Sequence, residues 1–174
     1  CISYLTIELK TAIPEELRPL IGNRVFGCDD CQIVCPWNRF ARPTEQSDFQ
    51  PRHNLDNAGL AELFLWDEDK FLSSTEGSPL RRAGYERWLR NLAVGLGNAP
   101  STIPVLEALE ARREYPSELV REHVEWALKQ HAQNVYQQVA VLKLMPMNNA
   151  TQITEDERQL IKRWFDAGAP VKTP

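Results

Sequence analysis

The sequence predicts a mainly α-helical fold in which a short cysteine-bearing loop segment precedes a set of packed helix pairs. Three features of the 174-residue chain favour this class. All four cysteines lie within the first 35 residues, a polar stretch with two prolines follows them, and helical periodicity begins near residue 57. The chain is long enough to join a small cofactor segment to a helical unit.

Composition and charge limit the classes of protein to which the chain can belong. Hydrophobic residues make up 43% and charged residues 25% of the chain, as in soluble globular proteins. The net charge of -4 excludes a surface that is basic everywhere, so nucleic-acid binding would need a local patch. No apolar stretch approaches the roughly 20 residues that span a bilayer. We therefore expect a cytoplasmic protein without a membrane partner, and the initial Cys1 leads us to expect a longer parent chain.

The chain divides into four predicted segments. Residues 1–42 hold the cysteines and a short helix that begins at Pro14, and residues 43–56 form a polar linker. Residues 57–131 form the helical domain, and residues 132–174 form a C-terminal tail.

Apolar residues recur at helical spacing in windows near 58–72, 79–97, 102–113 and 117–130. The second window places Arg87 and Arg90 opposite an apolar stripe that contains Tyr85, Trp88, Leu89, Leu92 and Leu96. Gly97 and Asn98 are predicted to end that helix. In the fourth window the buried stripe contains Val120, Val124, Ala127 and Leu128.

Several residues predict where helices begin or end. Ser101 and Ser117 are candidate N-caps of the third and fourth helices. Thr154 and Glu157 form a capping box for a last helix, which Gly168 is expected to stop.

The cysteine motif predicts iron-sulfur clusters. The stretch CDDCQIVCP matches the last three cysteines of the ferredoxin run CxxCxxCxxxCP, while Val25 occupies the position of the first. Cys1 is the remaining candidate for that ligand. By this rule Cys1, Cys28 and Cys31 serve one 4Fe-4S cluster and Cys35 serves a second. A companion cysteine run upstream would complete both clusters.

Two other uses of the cysteines are open. A CxxC pair with two more cysteines can bind zinc, although the CxxxCP ending has no reason to exist in a zinc knuckle. A disulfide framework is disfavoured in a cytoplasmic chain of this length. Trp37, which follows Cys35 and Pro36, either covers a cluster from water or packs in the core.

Four stretches resemble epoxyqueuosine reductase, over roughly residues 1–131: CISYLTIE, IPEELRPLIGNRVFGCDDCQIVCPWNRFA, SPLRRAGYERWLRNLAVGLGNAP and SELVREHVEWALKQH. The resemblance implies an oxidoreductase of queuosine biosynthesis, in which two 4Fe-4S clusters pass electrons from an external donor to cobalamin. An epoxide on a modified tRNA base is thereby reduced to an alkene.

The resemblance also implies that Cys1, Cys28, Cys31 and Cys35 are cluster ligands, and that HEAT-like helix pairs help to hold the tRNA anticodon arm. The family's N-terminal half, which binds most of the cobalamin, lies outside this sequence. We therefore expect this part alone not to turn over.

Four arginines suggest a phosphate-binding face beside Trp88: Arg81, Arg82, Arg87 and Arg90. The alternative is an ordinary solvated helix face. The chain has three histidines, His53, His123 and His131, and none has the spacing of a metal site, so each is predicted to be structural or exposed.

The last forty residues resemble the end of a c-type cytochrome domain, in which Met145 would be the axial ligand. Covalent haem needs CxxCH, and the CxxC here is followed by Gln32, so we expect no haem and an ordinary apolar Met145. Two functional alternatives to the reductase stay open. One is a non-catalytic iron-sulfur electron carrier with a helical docking domain, and the other is a helical scaffold with a zinc knuckle.

Overall fold

The structure, a computed structural model, describes residues 1–170, and the last four residues of the predicted tail lie outside this range. Within it the chain forms eight α-helices and no β-strand, which confirms the mainly helical class. The helices are α1 Arg18–Ile21, α2 Asp30–Ile33, α3 Leu60–Phe64, α4 Glu68–Ser74, α5 Tyr85–Gly97, α6 Ile103–Glu110, α7 Glu118–Tyr136 and α8 Glu155–Asp166. None of these helices combines the length and the apolar character needed to cross a membrane.

Shorter helical turns connect these elements. Two are π-helical turns, Tyr4–Glu8 and Gln137–Val141. The others are 3-10 turns at Glu15–Leu17, Pro36–Phe40, Ser47–Phe49, Pro79–Arg82 and Met147–Asn149. The first 42 residues therefore contain mostly single turns, whose backbone groups must find partners outside a regular helix.

Helix α5 lies at the centre of the fold. Its predicted apolar stripe is confirmed, because Trp88, Leu89, Leu92 and Leu96 are all 3% exposed or less. Every residue from Trp88 to Gly97 is in fact buried, so the helix is enclosed on all sides over that length. It ends at Gly97 with Asn98 as C-cap, as the sequence predicted.

Helices α5 and α7 form the closest helix pair. A Cβ atom on Gly97 would lie 2.5 Å from Cζ3 of Trp126 and 2.9 Å from Cα of Ala127. Glycine is therefore the residue that lets the two backbones approach at this point. The start of α7 is as predicted, since the Ser117 hydroxyl accepts a hydrogen bond from the Val120 amide at 3.3 Å.

Two local predictions are wrong. The first helical window is divided into α3 and α4, because Asp67 caps α4 by accepting from the Lys70 amide at 2.7 Å. Ser101 does not cap α6, which follows Thr102 instead. The Ser101 hydroxyl lies 2.8 Å from Nδ1 of His131, and this buried imidazole needs a polar partner.

The cysteine-bearing segment shares the hydrophobic core of the helices. Leu5, Ile13 and Ile21 are at most 9% exposed and pack in one cluster with residues of α3, α5, α6 and α7. The linker predicted at residues 43–56 runs over the surface, and Leu55 is its one residue that is not fully exposed. The cofactor segment is thus anchored on the helical body.

The tail continues the helical packing. Helix α7 runs through the boundary predicted after residue 131 and ends at Tyr136. Helix α8 folds back so that the rings of Tyr136 and Phe165 stack with centroids 4.5 Å apart. Its predicted capping box between Thr154 and Glu157 is confirmed, and Gly168 follows its end with a φ of 86°.

Two of the three histidines are structural. His123 is fully buried, and its Nε2 accepts a hydrogen bond from the Ile13 amide at 3.1 Å. Nδ1 therefore carries the proton and donates to the Leu119 carbonyl at 2.7 Å. Because burial disfavours the charged ring, the pKa of His123 falls to about 4. His53 lies in the exposed linker.

The buried His123 makes the fold sensitive to acid. An unfolded histidine has a pKa of about 6.5, so the unfolded chain binds the extra proton first as the pH falls. The contribution of the neutral His123 ring to the free energy of unfolding is therefore complete above about pH 6.5, and it is lost as the pH approaches the folded pKa of about 4. We expect a loss of about 2 kcal/mol in the free energy of unfolding between pH 7.5 and pH 5 from this residue.

Urea unfolding at the two pH values measures this loss. The His123→Gln variant should lose clearly less stability on acidification than the wild type, whereas His53→Gln should keep the wild-type dependence. Equal acid sensitivity in His123→Gln and the wild type would contradict the assignment.

Candidate iron-sulfur cluster site

The four cysteines lie on one irregular part of the chain. Cys1 precedes the first π-helical turn, Cys28 follows Gly27 in an irregular stretch, Cys31 lies in α2 and Cys35 precedes the turn Pro36–Phe40. All four thiols are free, with Cys1 and Cys31 exposed and Cys28 and Cys35 half-buried. The structure gives no support to a disulfide framework.

The stretch from Cys28 to Cys35 is a tight loop. Asp29 takes a left-handed conformation with a φ of 54°, and its carbonyl accepts from the Gln32 amide at 2.8 Å. The Cys35 amide donates to the Gln32 carbonyl at 3.2 Å. Backbone hydrogen bonds within the loop thus fix the short stretch of chain that carries Cys28, Cys31 and Cys35.

The four thiols are donors of the kind that hold iron-sulfur clusters. Soft thiolates are the usual ligands of these clusters, and they also bind zinc. Within residues 1–170 no three His, Cys, Asp or Glu side chains are placed to hold one ion. Cys1, Cys28, Cys31 and Cys35 are the residues that could hold such clusters.

The first turn and the cysteine loop are held together. The Thr6 hydroxyl donates to the Ile2 carbonyl at 2.8 Å and accepts from the Gly27 amide at 2.9 Å. The Ser3 hydroxyl lies 3.7 Å from the Cys28 sulfur. Ser3 is two residues from Cys1, so the turn that begins at Cys1 packs directly against Cys28.

The prediction that Arg90 lies on an exposed, phosphate-binding helix face is wrong. This side chain is fully buried and points into the cysteine-bearing segment. Its guanidinium donates to the carbonyls of Leu5 at 2.6 Å, Leu9 at 2.8 Å and Thr11 at 2.7 Å. Its two remaining N–H donors bind Oδ1 of Asn91 at 3.1 and 2.8 Å. All five donors of the guanidinium are engaged inside the protein, and none is left for a phosphate.

The other three arginines form only a small exposed group. Arg87 is half-buried and donates to the carbonyls of Ile7 at 2.9 Å and Arg82 at 2.8 Å. Arg81 and Arg82 are exposed, but they lie in the 3-10 turn before α5, and Arg82 pairs with Glu8. Of the four predicted arginines, Arg81 and Arg82 are the exposed ones, and Arg81 also donates to the Leu72 carbonyl.

Arg90 and Asn91 of α5, together with its C-cap residue Asn98, form a set of side-chain donors that we call the clamp, and the sequence did not predict its asparagines. Nδ2 of Asn91 donates to the carbonyls of Thr6 at 2.7 Å and Val25 at 2.8 Å. Nδ2 of Asn98 donates to the carbonyls of Arg18 at 2.9 Å and Gly22 at 3.0 Å. Polar residues inside an apolar helix need buried partners, and that pattern could have indicated the clamp.

Trp37 does not pack in the core. Its side chain is 74% exposed, and its ring makes a tilted contact with Phe40 at 5.5 Å between centroids. Ile33 and Val34 in the same loop are also more than two thirds exposed. The core-packing alternative for Trp37 is therefore wrong, and its role in covering a cluster stays a prediction.

The clamp makes Arg90 essential to stability. In Arg90→Met three buried carbonyls lose their donor, and unpaired buried polar groups cost about 1–3 kcal/mol each. We expect the free energy of unfolding to fall by more than about 3 kcal/mol. The matched variant Arg82→Met removes an exposed ion pair and should cost at most about 1 kcal/mol. Chemical denaturation measures both, and a wild-type midpoint for Arg90→Met would contradict the clamp.

Comparisons with known proteins agree with the cysteine pattern. A family model described as a 4Fe-4S double cluster binding domain matches residues 1–38, which include all four cysteines. The epoxyqueuosine reductase of Pseudomonas aeruginosa is 86% identical over 133 residues, which are 76% of this chain and 37% of that protein. The chain therefore spans little more than a third of the length of this curated relative.

Solved structures extend the likeness to the fold. A crystal structure of selenomethionine-labelled epoxyqueuosine reductase has a TM-score of 0.67 at 25% identity, over 95% of this chain and 43% of that one. A crystal structure of epoxyqueuosine reductase with an epoxyqueuosine-modified tRNA-Tyr stem loop has a TM-score of 0.60 at 24% identity, with the same coverage.

The cytochrome resemblance of the tail finds no support. The structural likeness to the reductases covers 95% of the chain, and therefore reaches beyond residue 131. Met145 is 45% exposed, and its carbonyl accepts from Nη1 of Arg158 at 3.2 Å. Residues 1–38 are thus similar to a 4Fe-4S double cluster binding domain, and about three quarters of the chain are similar in sequence to the epoxyqueuosine reductases.

Proposed function

We propose that this chain is the cluster-bearing part of an epoxyqueuosine reductase, which converts epoxyqueuosine to queuosine in tRNA. The observation that carries the proposal is the 86% identity to the Pseudomonas aeruginosa reductase over 133 residues. In the proposed reaction two 4Fe-4S clusters pass electrons from an external donor to cobalamin. Most of the cobalamin site would be formed by parts of the enzyme outside this stretch of sequence.

We assign Cys1, Cys28 and Cys31 to one cluster and Cys35 to the second. The spacing CxxCxxxCP supports this division, because in ferredoxin runs the cysteine before proline serves the other cluster. None of the four thiols is buried or engaged in a disulfide, which is compatible with a role as ligands. The remaining ligands would come from other parts of the protein.

The helices are proposed to help hold the anticodon arm of the tRNA, in the manner of HEAT-like pairs. The packing of α5 on α7 supports such pairs, and a tRNA stem loop is present in one structurally similar reductase. Arg81 and Arg82 are the members of the predicted patch that remain available for phosphate contacts.

One observation favours a second candidate function. Arg90 is used entirely inside the protein and Arg87 donates to two backbone carbonyls, which weakens the expected phosphate-binding face. A non-catalytic electron carrier would need the clusters and a docking surface but no affinity for tRNA. Cluster content and tRNA affinity therefore have to be measured separately.

Metal analysis tests the clusters. The full-length protein purified without oxygen should contain about eight iron and eight sulfide per chain, with brown absorption near 400 nm, as two 4Fe-4S clusters require. Cys28→Ser should lower the iron content, because it removes a soft ligand, whereas Ser47→Ala in the exposed linker should not. A colourless protein with zinc and no iron would overturn both the reductase and the electron carrier.

A salt-dependent binding assay tests the tRNA surface. The double variant Arg81→Ala with Arg82→Ala should bind tRNA more weakly and lower the salt slope of log K by about 1 for each lost phosphate contact. The matched variant Lys143→Ala with Lys162→Ala removes the same charge from the tail and should bind as the wild type does. If the wild-type protein contains both clusters but does not bind tRNA, the electron carrier is favoured.

A further inference from the structure

The Ser3 hydroxyl and the Cys28 sulfur form a contact that the clusters' ligand pattern does not require. Their separation of 3.7 Å is within the range of a hydrogen bond to sulfur. Among residues 1–170, Ser3 is the one residue whose side chain hydrogen-bonds a cysteine sulfur. We propose that Ser3 raises the reduction potential of the cluster bound by Cys28. This inference rests on the proposed function, because it requires Cys28 to be a cluster ligand.

The chemistry of the bound cysteine fixes the direction of the hydrogen bond. A thiol binds metal as the thiolate, which has no proton to donate. The serine hydroxyl has one proton and can rotate to direct it at the sulfur. In the cluster-loaded protein Ser3 is therefore the donor and the Cys28 sulfur is the acceptor.

The surrounding contacts keep the two atoms together. Ser3 has helical backbone angles, with φ −60° and ψ −40°, and lies one turn before Thr6. The Thr6 hydroxyl binds the amide of Gly27, which is the residue next to Cys28. Asn91 then joins the Thr6 carbonyl to the Val25 carbonyl from the side of α5. These hydrogen bonds hold the turn that carries Ser3 against the stretch of chain that carries Cys28.

Gly27 sets the direction of the backbone at this contact. Its φ of +71° lies in the region that favours glycine. A Cβ atom there would lie 3.9 Å from the Ser3 oxygen, an ordinary contact distance, so the backbone angle and not a lack of space favours glycine at this position.

The hydrogen bond should affect one redox state more than the other. Reduction adds an electron to the cluster and makes its sulfur ligands more negative. A donor to sulfur then stabilises the reduced state more than the oxidised state, because hydrogen bonds to charged acceptors are the stronger ones. Hydrogen bonds to the sulfurs are among the factors that set cluster potentials. Loss of the hydroxyl should make the potential more negative.

The test is a redox titration of the full-length, cluster-loaded protein, followed by electron paramagnetic resonance and absorbance. Ser3→Ala should shift the midpoint potential of one cluster to a more negative value and leave the other unchanged. Ser3→Thr, which keeps the hydroxyl, should restore the wild-type value. Ser47→Ala, in the exposed linker, should have no effect.

A second pair of variants decides the question if Ser3→Ala loads clusters poorly. Ser3→Thr and Ser3→Val have the same shape and differ in the hydroxyl, so the valine variant should have the more negative potential. Equal potentials within this pair, or a wild-type potential in a fully loaded Ser3→Ala, would overturn the proposal. Iron and sulfide analysis of the wild type separates this outcome from failure of the proposed function, which would instead show an iron-free protein.

Discussion

The buried guanidinium of Arg90 is the interaction on which the cysteine-bearing segment depends. That segment contains single turns, so several of its carbonyl groups have no partner in a regular helix. Removing such groups from water without a donor is costly. One arginine supplies donors to three of them, at Leu5, Leu9 and Thr11. Burial lowers its pKa to about 10, yet the side chain keeps its charge at neutral pH.

The clamp determines which way the cofactor segment faces. Its inner side, with Leu5, Thr6 and Ile13, is held against α5 and α7 and is buried. Its outer side carries the accessible thiols and the exposed apolar residues Ile33, Val34 and Trp37. The helical body thus supports the segment that carries the proposed cluster ligands, and hydrogen bonds from α5 hold the backbone of that segment at residues 5, 6 and 25.

Much of the architecture could be predicted from the sequence. The cysteine spacing indicated the cofactor, the helical periodicity located α5, α6 and α7, and short polar residues indicated the caps at Ser117 and Thr154. These features depend on neighbours along the chain. Ser101 was assigned wrongly because its partner, His131, is thirty residues away and becomes available only in the folded protein.

Arg90 could not be placed by periodicity, for a physical reason. Periodicity assigns a charged residue to the solvent side of a helix, and this holds only when the helix has a solvent side. Helix α5 is buried on all sides from Trp88 to Gly97, so its polar residues must bind other parts of the chain. Asn91 in the same helix and Asn98 at its C-cap also donate to carbonyls of the irregular segment. Several polar residues in or at the end of one enclosed helix therefore indicate an irregular segment packed alongside it.

A protein of net charge -4 can bind RNA only through a local patch of positive charge. Positive charge in the sequence counts toward phosphate binding only where its donors remain free, and all five donors of Arg90 are engaged. Half of the apparent basic cluster therefore belongs to the scaffold of the cofactor. Arginine is suited to both tasks because its fork of donors matches carbonyl groups as well as phosphates. A buried arginine can bind only the groups around it, and the buried Arg90 binds carbonyls of the cysteine-bearing segment.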